Sequence, residues 1–319
     1  MKNKLLTIIV PCYNEESVLP LFIEAIKPIR EQLNIDTEIL FINDGSKDNT
    51  LQLLKDYNEI DKTIRYISFS RNFGKEAAIL AGLKYIDSDY CVLLDADLQH
   101  PVEYIPIMYN ELISSDYDSV AMYRDNRKKE SFCRRHFSSM FFKILNKCSK
   151  LNIVNGATDF RMMNRLMINS ILELPESNRF SKGIFNWVGF NTKWLPFETA
   201  DRLAGESKWS FKQLLHYSFD AILSFSEVPL KISSWLGAVF CLIAFGLGII
   251  QFVKTVLYGD PVAGFPTLYI MLLLMSGLLL LFLGIIGQYL ARIYIEVKHR
   301  PLYIIKETDV NDDTNTKED

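Results

Sequence analysis

The chain has 319 residues, 49% apolar and 23% charged, a balance that builds a folded core and excludes a disordered polymer. A formal net charge of -3 excludes a general nucleic-acid binder, which carries basic surface to meet phosphates. The five cysteines, Cys12, Cys91, Cys133, Cys148 and Cys241, form no CxxC pair and no zinc spacing, so neither a disulfide framework nor a zinc site is indicated and a reducing cytoplasm is the simpler setting.

The start, MKNKLLTIIVPCYNEE, carries an apolar run too short for a signal peptide, and TIIVP (7–11) reads as a first strand. A helix-like stretch, EESVLPLFIEAIKPIREQL (15–33), follows with apolar residues at 3.6-type spacing. EILFIN (38–43), IRYISF (64–69), YCVLLD (90–95) and SVAMY (119–123) are further β-branched and aromatic runs, with KEAAILAGLKYI (75–86) as a second helix between them. Alternation of strand and helix implies right-handed βαβ units, a Rossmann-like α/β domain with a mostly parallel sheet, and a ligand crevice at the carboxyl ends of the strands.

Polar residues stand at those ends: Tyr13, Asn14, Glu15 and Glu16 after the first strand, Asp44, Ser46 and Asp48 after the second, Ser70, Arg71 and Asn72 after the third. Helix capping accounts for Ser46 and Asp48. After the fourth strand comes VLLDADLQHP (92–101), where burial of an unpaired carboxylate costs several kcal/mol, so Asp95 and Asp97 need a shared counter-charge. In an extended segment Asp95, Asp97 and Gln99 face one way, three oxygen-bearing groups suited to Mg²⁺ or Mn²⁺. A helix is expected from near Pro101.

Farther along, Phe132, Phe137, Met140, Phe141, Ile144, Leu145 and Cys148 fall near one helical face with Lys143 and Lys147 off it. Two readings are open, a helix on the membrane surface and a core helix with a basic outer face. The apolar segments downstream favour the first. Phe211, Leu214, Leu215, Phe219, Ile222 and Phe225 make a second such stripe, a juxtamembrane helix over 210–230. Then come two uncharged stretches, 232–253 and 268–290, each long enough to cross a bilayer. Lys231 before the first and Arg292, Lys298, His299 and Arg300 after the second place both termini in the cytoplasm. The expected plan is a cytoplasmic domain over 1–209, the juxtamembrane helix, a transmembrane hairpin within 231–292, and a cytoplasmic tail over 293–319, with KETDVNDDTNTKED disordered and without catalytic role.

The chain resembles the GT-A-fold glycosyltransferases of family 2, in the polyprenyl-phosphate branch typified by dolichyl-phosphate mannose synthases and bactoprenol glucosyltransferases. The matching motifs are PCYNEE (11–16), DGSKDNT (44–50), SRNFGKEAAILAGL (70–83), DADLQHP (95–101), TDFR (158–161), NRFSKG (178–183) and GESKW (205–209), followed by the two apolar spans. The resemblance implies that Pro11, Tyr13, Glu15 and Asp44 hold a nucleotide, that Asp95 lies by ribose and metal, and that Asp97 and Gln99 bind Mg²⁺ or Mn²⁺. It assigns Asp159 to the reacting centre, as base or as organiser of acceptor, sugar or metal, against the simpler reading of a salt bridge to Arg161. It gives Arg202 and Lys208 to the diphosphate or acceptor phosphate, and implies a loop closing over the donor near 201–209. A lipid-phosphate acceptor needs positive charge, and Arg124, Arg127, Lys128, Lys129, Arg134 and Arg135 supply it, with Ser138 beside them. Relatives often carry an Arg where this chain has Ser139, which leaves open which arginine grips the phosphate.

The implied function is inverting, metal-dependent transfer of a hexose or N-acetylhexosamine, glucose or N-acetylglucosamine first, from a UDP-sugar to undecaprenyl phosphate at the cytoplasmic membrane face. Other donors, such as mannose or aminoarabinose-type sugars, are alternatives. Implied partners are the membrane, a tetramer of the chain itself, a downstream flippase and a transferase that uses the lipid-linked sugar. A processive polysaccharide synthase shares the fold but wants a QxxRW motif and more spans; a DxDxT phosphatase wants Thr or Val where Leu98 and Gln99 stand. An inactive membrane-anchored scaffold is the non-enzyme alternative.

Overall fold

The computed structural model describes residues 5–124, 154–177, 179–198 and 264–310, with scattered helical positions between 230 and 257. The chain divides into two compact units, Met1–His216 with Pro301–Asp319, and Tyr217–Arg300.

The first unit is built on an eight-stranded sheet in the order β7-β5-β6-β4-β1-β2-β3-β8. At its centre β1 (Leu5–Cys12) lies parallel to β2 (Asp36–Asn43) and to β4 (Tyr90–Leu93), and β2 lies parallel to β3 (Ile64–Phe69). Ile8, Ile9 and Val10 have no exposed surface, as consecutive β-branched residues do in a strand covered on both faces. One cover is α1 (Leu19–Gln32), whose Leu19, Phe22, Ile26 and Ile29 recur at helical spacing and are buried. The Phe22 ring meets Phe41 of β2 edge-on, 5.7 Å between centroids. Next in the chain stand α2 (Thr50–Ile60), α3 (Lys75–Lys84), which is buried nearly all round, and α4 (Tyr104–Ser114), three residues later than Pro101 suggested.

Beyond β4 the sheet turns antiparallel. β6 (Ala157–Asn164) pairs antiparallel with β4 and with β5 (Ser119–Arg124), and β7 (Thr192–Phe197) joins parallel to β5. Two short helices, α5 (Arg165–Leu172) and α6 (Ser181–Trp187), separate β6 from β7. The expected α/β class and mostly parallel core are observed. β6, β7 and β8 extend that expectation.

β8 (Ile305–Thr308) corrects it, because a disordered tail was expected from residue 306. It pairs antiparallel with β3 at the sheet edge. Asp309 accepts from the Tyr66 backbone N–H at 2.6 Å and from Asn58 Nδ2 at 2.8 Å, Lys55 pairs with Glu307 at 2.5 Å, and Val310 is buried. The tail's carboxylates are edge-strand fasteners. Residues 311–319 lie outside the described residues.

In the second unit α7 (Phe265–Val297) runs for 33 residues and contains the expected span 268–290. Its segment Leu274–Val297, 24 residues of mean hydropathy 2.0, is long enough to cross a bilayer, at about 1.5 Å per residue. Among the described residues it is the one such helix, so the two-helix hairpin is not established. The other expected span, 232–253, is described only at scattered positions, all helical. The expected helix over 132–148, the loop at 201–209 and all but residue 230 of the expected helix over 210–230 lie outside the described residues.

Candidate functional site

The carboxyl ends of β1, β2, β3 and β4 share one edge, and their loops are tied to one another. After β1, the Asn14 N–H donates to Ser46 Oγ at 2.9 Å and Asn14 Oδ1 accepts from the Lys47 N–H at 2.8 Å, with Asn14 in the left-handed region at φ 53°. The Glu16 N–H donates to Asp48 Oδ2, and Glu16 Oε2 accepts from the Asn49 N–H. Ser46 and Asp48 were expected as helix caps; they stitch two loops together instead, although Asp48 also accepts from the Thr50 N–H. The Glu15 N–H donates to Thr50 Oγ1, and Pro11 and Tyr13 are half-buried at the same edge.

Asp44 sits at the end of β2, almost wholly buried, and accepts from the Phe73 N–H at 2.6 Å and the Gly74 N–H at 2.9 Å. Burial raises its pKa, and the two backbone donors oppose that shift. Its carboxylate folds the loop after β3 over the loop after β2. Gly45 makes the approach close: at φ 65° a Cβ there would lie 2.3 Å from the Arg71 carbonyl carbon.

The centre of the site is an ion-pair cluster on Lys75, the first residue of α3. Lys75 Nζ donates to Asp95 Oδ1 at 2.6 Å and to Asp159 Oδ2 at 2.9 Å. Sheet order creates the meeting. β4 and β6 pair antiparallel with Leu93 opposite Arg161, and continuing that register two residues brings Asp95 opposite Asp159. Burial opposes the charge of every member, yet Asp159 and then Asp95 hold the ammonium well above its usual range. Burial alone would raise both carboxylates; Lys75 leads the charges that hold Asp95 low, and Lys75 followed by Lys182 holds Asp159 well below the carboxylate range. Lys75, absent from the expected site residues, is the counter-charge for Asp95, but it is shared with Asp159 and not with Asp97 as VLLDADLQHP suggested. Its signal in the sequence was a lysine opening the helix that follows the β3 loop, next to Glu76, whose carboxylate accepts from the Ser181 N–H at 2.9 Å.

Asp97 and Gln99 are close by but not as alternation had them. The strand ends at Leu93, Leu98 is left-handed at φ 54°, and Asp97 Oδ1 accepts from the Gln99 N–H at 3.2 Å, so the segment is a turn rather than an extended run. His100 is buried against Phe160, ring centroids 5.2 Å apart, with Nδ1 at 3.9 Å from Asp95 Oδ2; burial lowers its pKa. Arg161 makes no ion pair to Asp159. Its guanidinium lies 4.3 Å above the Phe185 ring, fully buried, and its pKa falls to about 10.

Of the expected phosphate-binding residues, Arg124 ends β5 and is half-buried. Arg127, Arg134, Arg135, Ser138, Arg202 and Lys208 lie outside the described residues. Among the described residues no group of three or more His, Cys, Asp or Glu comes together to hold a metal.

The sequence model of the family described as "Glycosyl transferase family 2" matches residues 7–172. CsbB of Bacillus subtilis (strain 168), whose name gives a glycosyltransferase without donor or acceptor, is 43% identical over 310 residues, 97% of this chain and 94% of that one. The SfII prophage-derived bactoprenol glucosyl transferase of Shigella flexneri is 38% identical over 303 residues, 95% of this chain and 98% of that one. Among solved structures, glucosyl-3-phosphoglycerate synthase from Mycobacterium tuberculosis with Mn²⁺, uridine diphosphate and phosphoglyceric acid aligns with TM-score 0.47 and 17% identity, covering 69% of this chain and 76% of that one. A likeness that loose transfers nothing further to this chain.

Proposed function

The chain belongs to glycosyl transferase family 2, and on that premise we propose that it transfers a sugar, glucose first and N-acetylglucosamine second, from a UDP-sugar to a polyprenyl phosphate such as undecaprenyl phosphate. The observation that carries the reading is the Lys75 cluster: a cation fixed between two aspartates at the strand ends, with Asp97 and Gln99 in the next turn. The relative named bactoprenol glucosyl transferase supports the acceptor class and the sugar.

In this reading Asp44 and the loop it holds take the nucleotide, with Pro11, Tyr13 and Glu15 at the same edge. Asp97, Gln99 and Asp95 would hold Mg²⁺ or Mn²⁺, because such ions take one or two carboxylates and are completed by water and substrate phosphates. When bound, the cation neutralises charge on the departing diphosphate. Lys75 keeps Asp95 and Asp159 ionised and fixed in place. A phosphate monoester loses its second proton at about pH 6, so the acceptor needs no strong base. Asp159, held well below the carboxylate range, is a poor base and serves as an organiser of the reacting centre. The acceptor attacks the anomeric carbon once, from the face opposite the leaving group, with inversion. Arg124, Arg127, Arg134, Arg135, Arg202 and Lys208 provide the charge that draws one phosphate to another, with Ser138 as a neutral hydrogen-bonding group beside them.

Chain topology supports a membrane hairpin with both ends of the apolar unit on one side, and the basic residues flanking the spans favour the cytoplasmic side. Residues before and after the apolar unit join one sheet, since β8 pairs with β3. If α7 crosses the bilayer, the segment before it crosses back.

The test incubates membranes containing the full chain with a panel of nucleotide sugars, undecaprenyl phosphate and Mg²⁺ or Mn²⁺, and weighs the lipid product. A UDP-hexose is expected to give a polyprenyl-phosphate hexose. No glycolipid from any donor would refute the proposal.

A further inference from the structure

The residues just past α7 do more than fasten an edge. The Tyr303 ring stacks on Phe69 at the end of β3, centroids 4.9 Å apart and planes 12° apart. Phe69 in turn meets Phe73 edge-on at 5.8 Å, and the Arg71 guanidinium lies over the Phe73 ring, 4.3 Å from its centroid. Phe73 and Gly74 are the residues whose N–H groups Asp44 accepts. The Ile304 carbonyl accepts from the Ser70 N–H at 2.9 Å, so backbone and ring contacts dock the same loop. The β3–β8 register shifts between Ser68 and Phe69, an irregularity of the kind that re-aims a side chain.

We propose that Tyr303 is a positioning residue for the nucleotide end of the donor site, holding the Arg71–Gly74 loop on Asp44 through the Phe69 and Phe73 rings. The inference rests on the reading of Asp44 as part of a UDP-sugar site. It gives the tail a part in substrate binding that its acidic composition conceals. The first residues of the chain beyond the apolar helix thereby set the geometry of the donor edge.

The experiment measures UDP affinity in the presence of Mn²⁺ for the full chain in detergent, together with donor and acceptor KM. An aromatic pair contributes about 0.5 to 1.5 kcal/mol beyond its buried area, so Tyr303→Ala should weaken UDP binding roughly two- to tenfold. The donor KM should rise, with acceptor KM and kcat at saturating donor unchanged. Tyr303→Phe keeps the ring and should bind as the native chain does. Tyr303→Leu keeps apolar bulk without the ring and should weaken binding as Tyr303→Ala does, which separates lost stacking from lost folding. Glu307→Gln removes the Lys55 ion pair elsewhere on β8 and should leave UDP affinity unchanged. Native affinity in Tyr303→Leu, or an equal loss in Glu307→Gln, overturns the proposal while the donor reading stands. A native chain that binds no UDP overturns both.

Discussion

Replacing Lys75 by methionine keeps most of the unbranched side chain and removes the charge that Asp95 and Asp159 share. The two contacts, at 2.6 and 2.9 Å, are charge-assisted hydrogen bonds of about 1.5 to 3 kcal/mol each where solvent is excluded. The Lys75 side chain keeps 39% of its surface exposed, so screening lowers each to about 1 to 2 kcal/mol. The expected loss is about 2 to 4 kcal/mol, or roughly 5–10 °C in Tm for a domain of this size.

Its pH dependence follows from the directions of the shifts. With Lys75 present, Asp95 and Asp159 titrate below their unfolded values, so their contribution is complete above about pH 4 and is lost only as pH falls through the depressed folded pKa values. Without it, burial and mutual repulsion raise both carboxylates above their unfolded values. The penalty is then full at pH 8 and relieved as protons bind. Scanning fluorimetry of the full chain in detergent with a chelator present should therefore show a Tm gap that is widest at pH 8 and narrower at pH 5. Transfer activity should fall about a hundredfold or more, as it does when a fixed charge partner is removed from a reacting centre. A gap that is absent at pH 8, or that does not vary with pH, refutes the charge-sharing argument.

Asp97→Asn should abolish metal-dependent transfer with Tm within about 2 °C of native, since Asp97 is half-buried in a turn; sugar transfer by this variant in metal-free buffer would show that the cation lies elsewhere. Gly45→Ala puts a Cβ 2.3 Å from the Arg71 backbone at a left-handed φ, and should lower stability by about 2 kcal/mol or more and UDP affinity with it, read by denaturant melts and titration. Arg161→Met should leave Tm unchanged or raise it, because among the described residues Arg161 Nε and Nη1 have no hydrogen-bond partner and burial already disfavours the charge. A Tm loss equivalent to more than about 2 kcal/mol would mean that the guanidinium has an anionic partner.

The first five strands are legible because the fold buries both faces of the central ones, so each is a run of β-branched and aromatic residues. β6 is not, because Asp159 and Arg161 interrupt its apolar pattern where the site needs them. β7 and β8 are edge strands, half-exposed and short, and β8 is held by contacts such as Asp309 to Tyr66 that span 243 residues of sequence. Composition cannot register a partner that distant. The same limit hid Lys75. Its two carboxylates lie 20 and 84 positions away, and only the order β6-β4-β1-β2-β3 brings a residue beginning the helix after β3 to both. The sequence did state the electrostatic requirement, since aspartates closing a buried strand need a cation. It did not distinguish a divalent metal from a side chain, and the two have different consequences. Because Lys75 already pairs with Asp95 and Asp159, and Lys182 adds positive charge at Asp159, those two carboxylates have counter-charges within the protein. A divalent cation then has its work to do at Asp97, Gln99 and the donor's phosphates, so its affinity should depend on the nucleotide: weak for the protein by itself, and markedly tighter once UDP supplies the remaining oxygens.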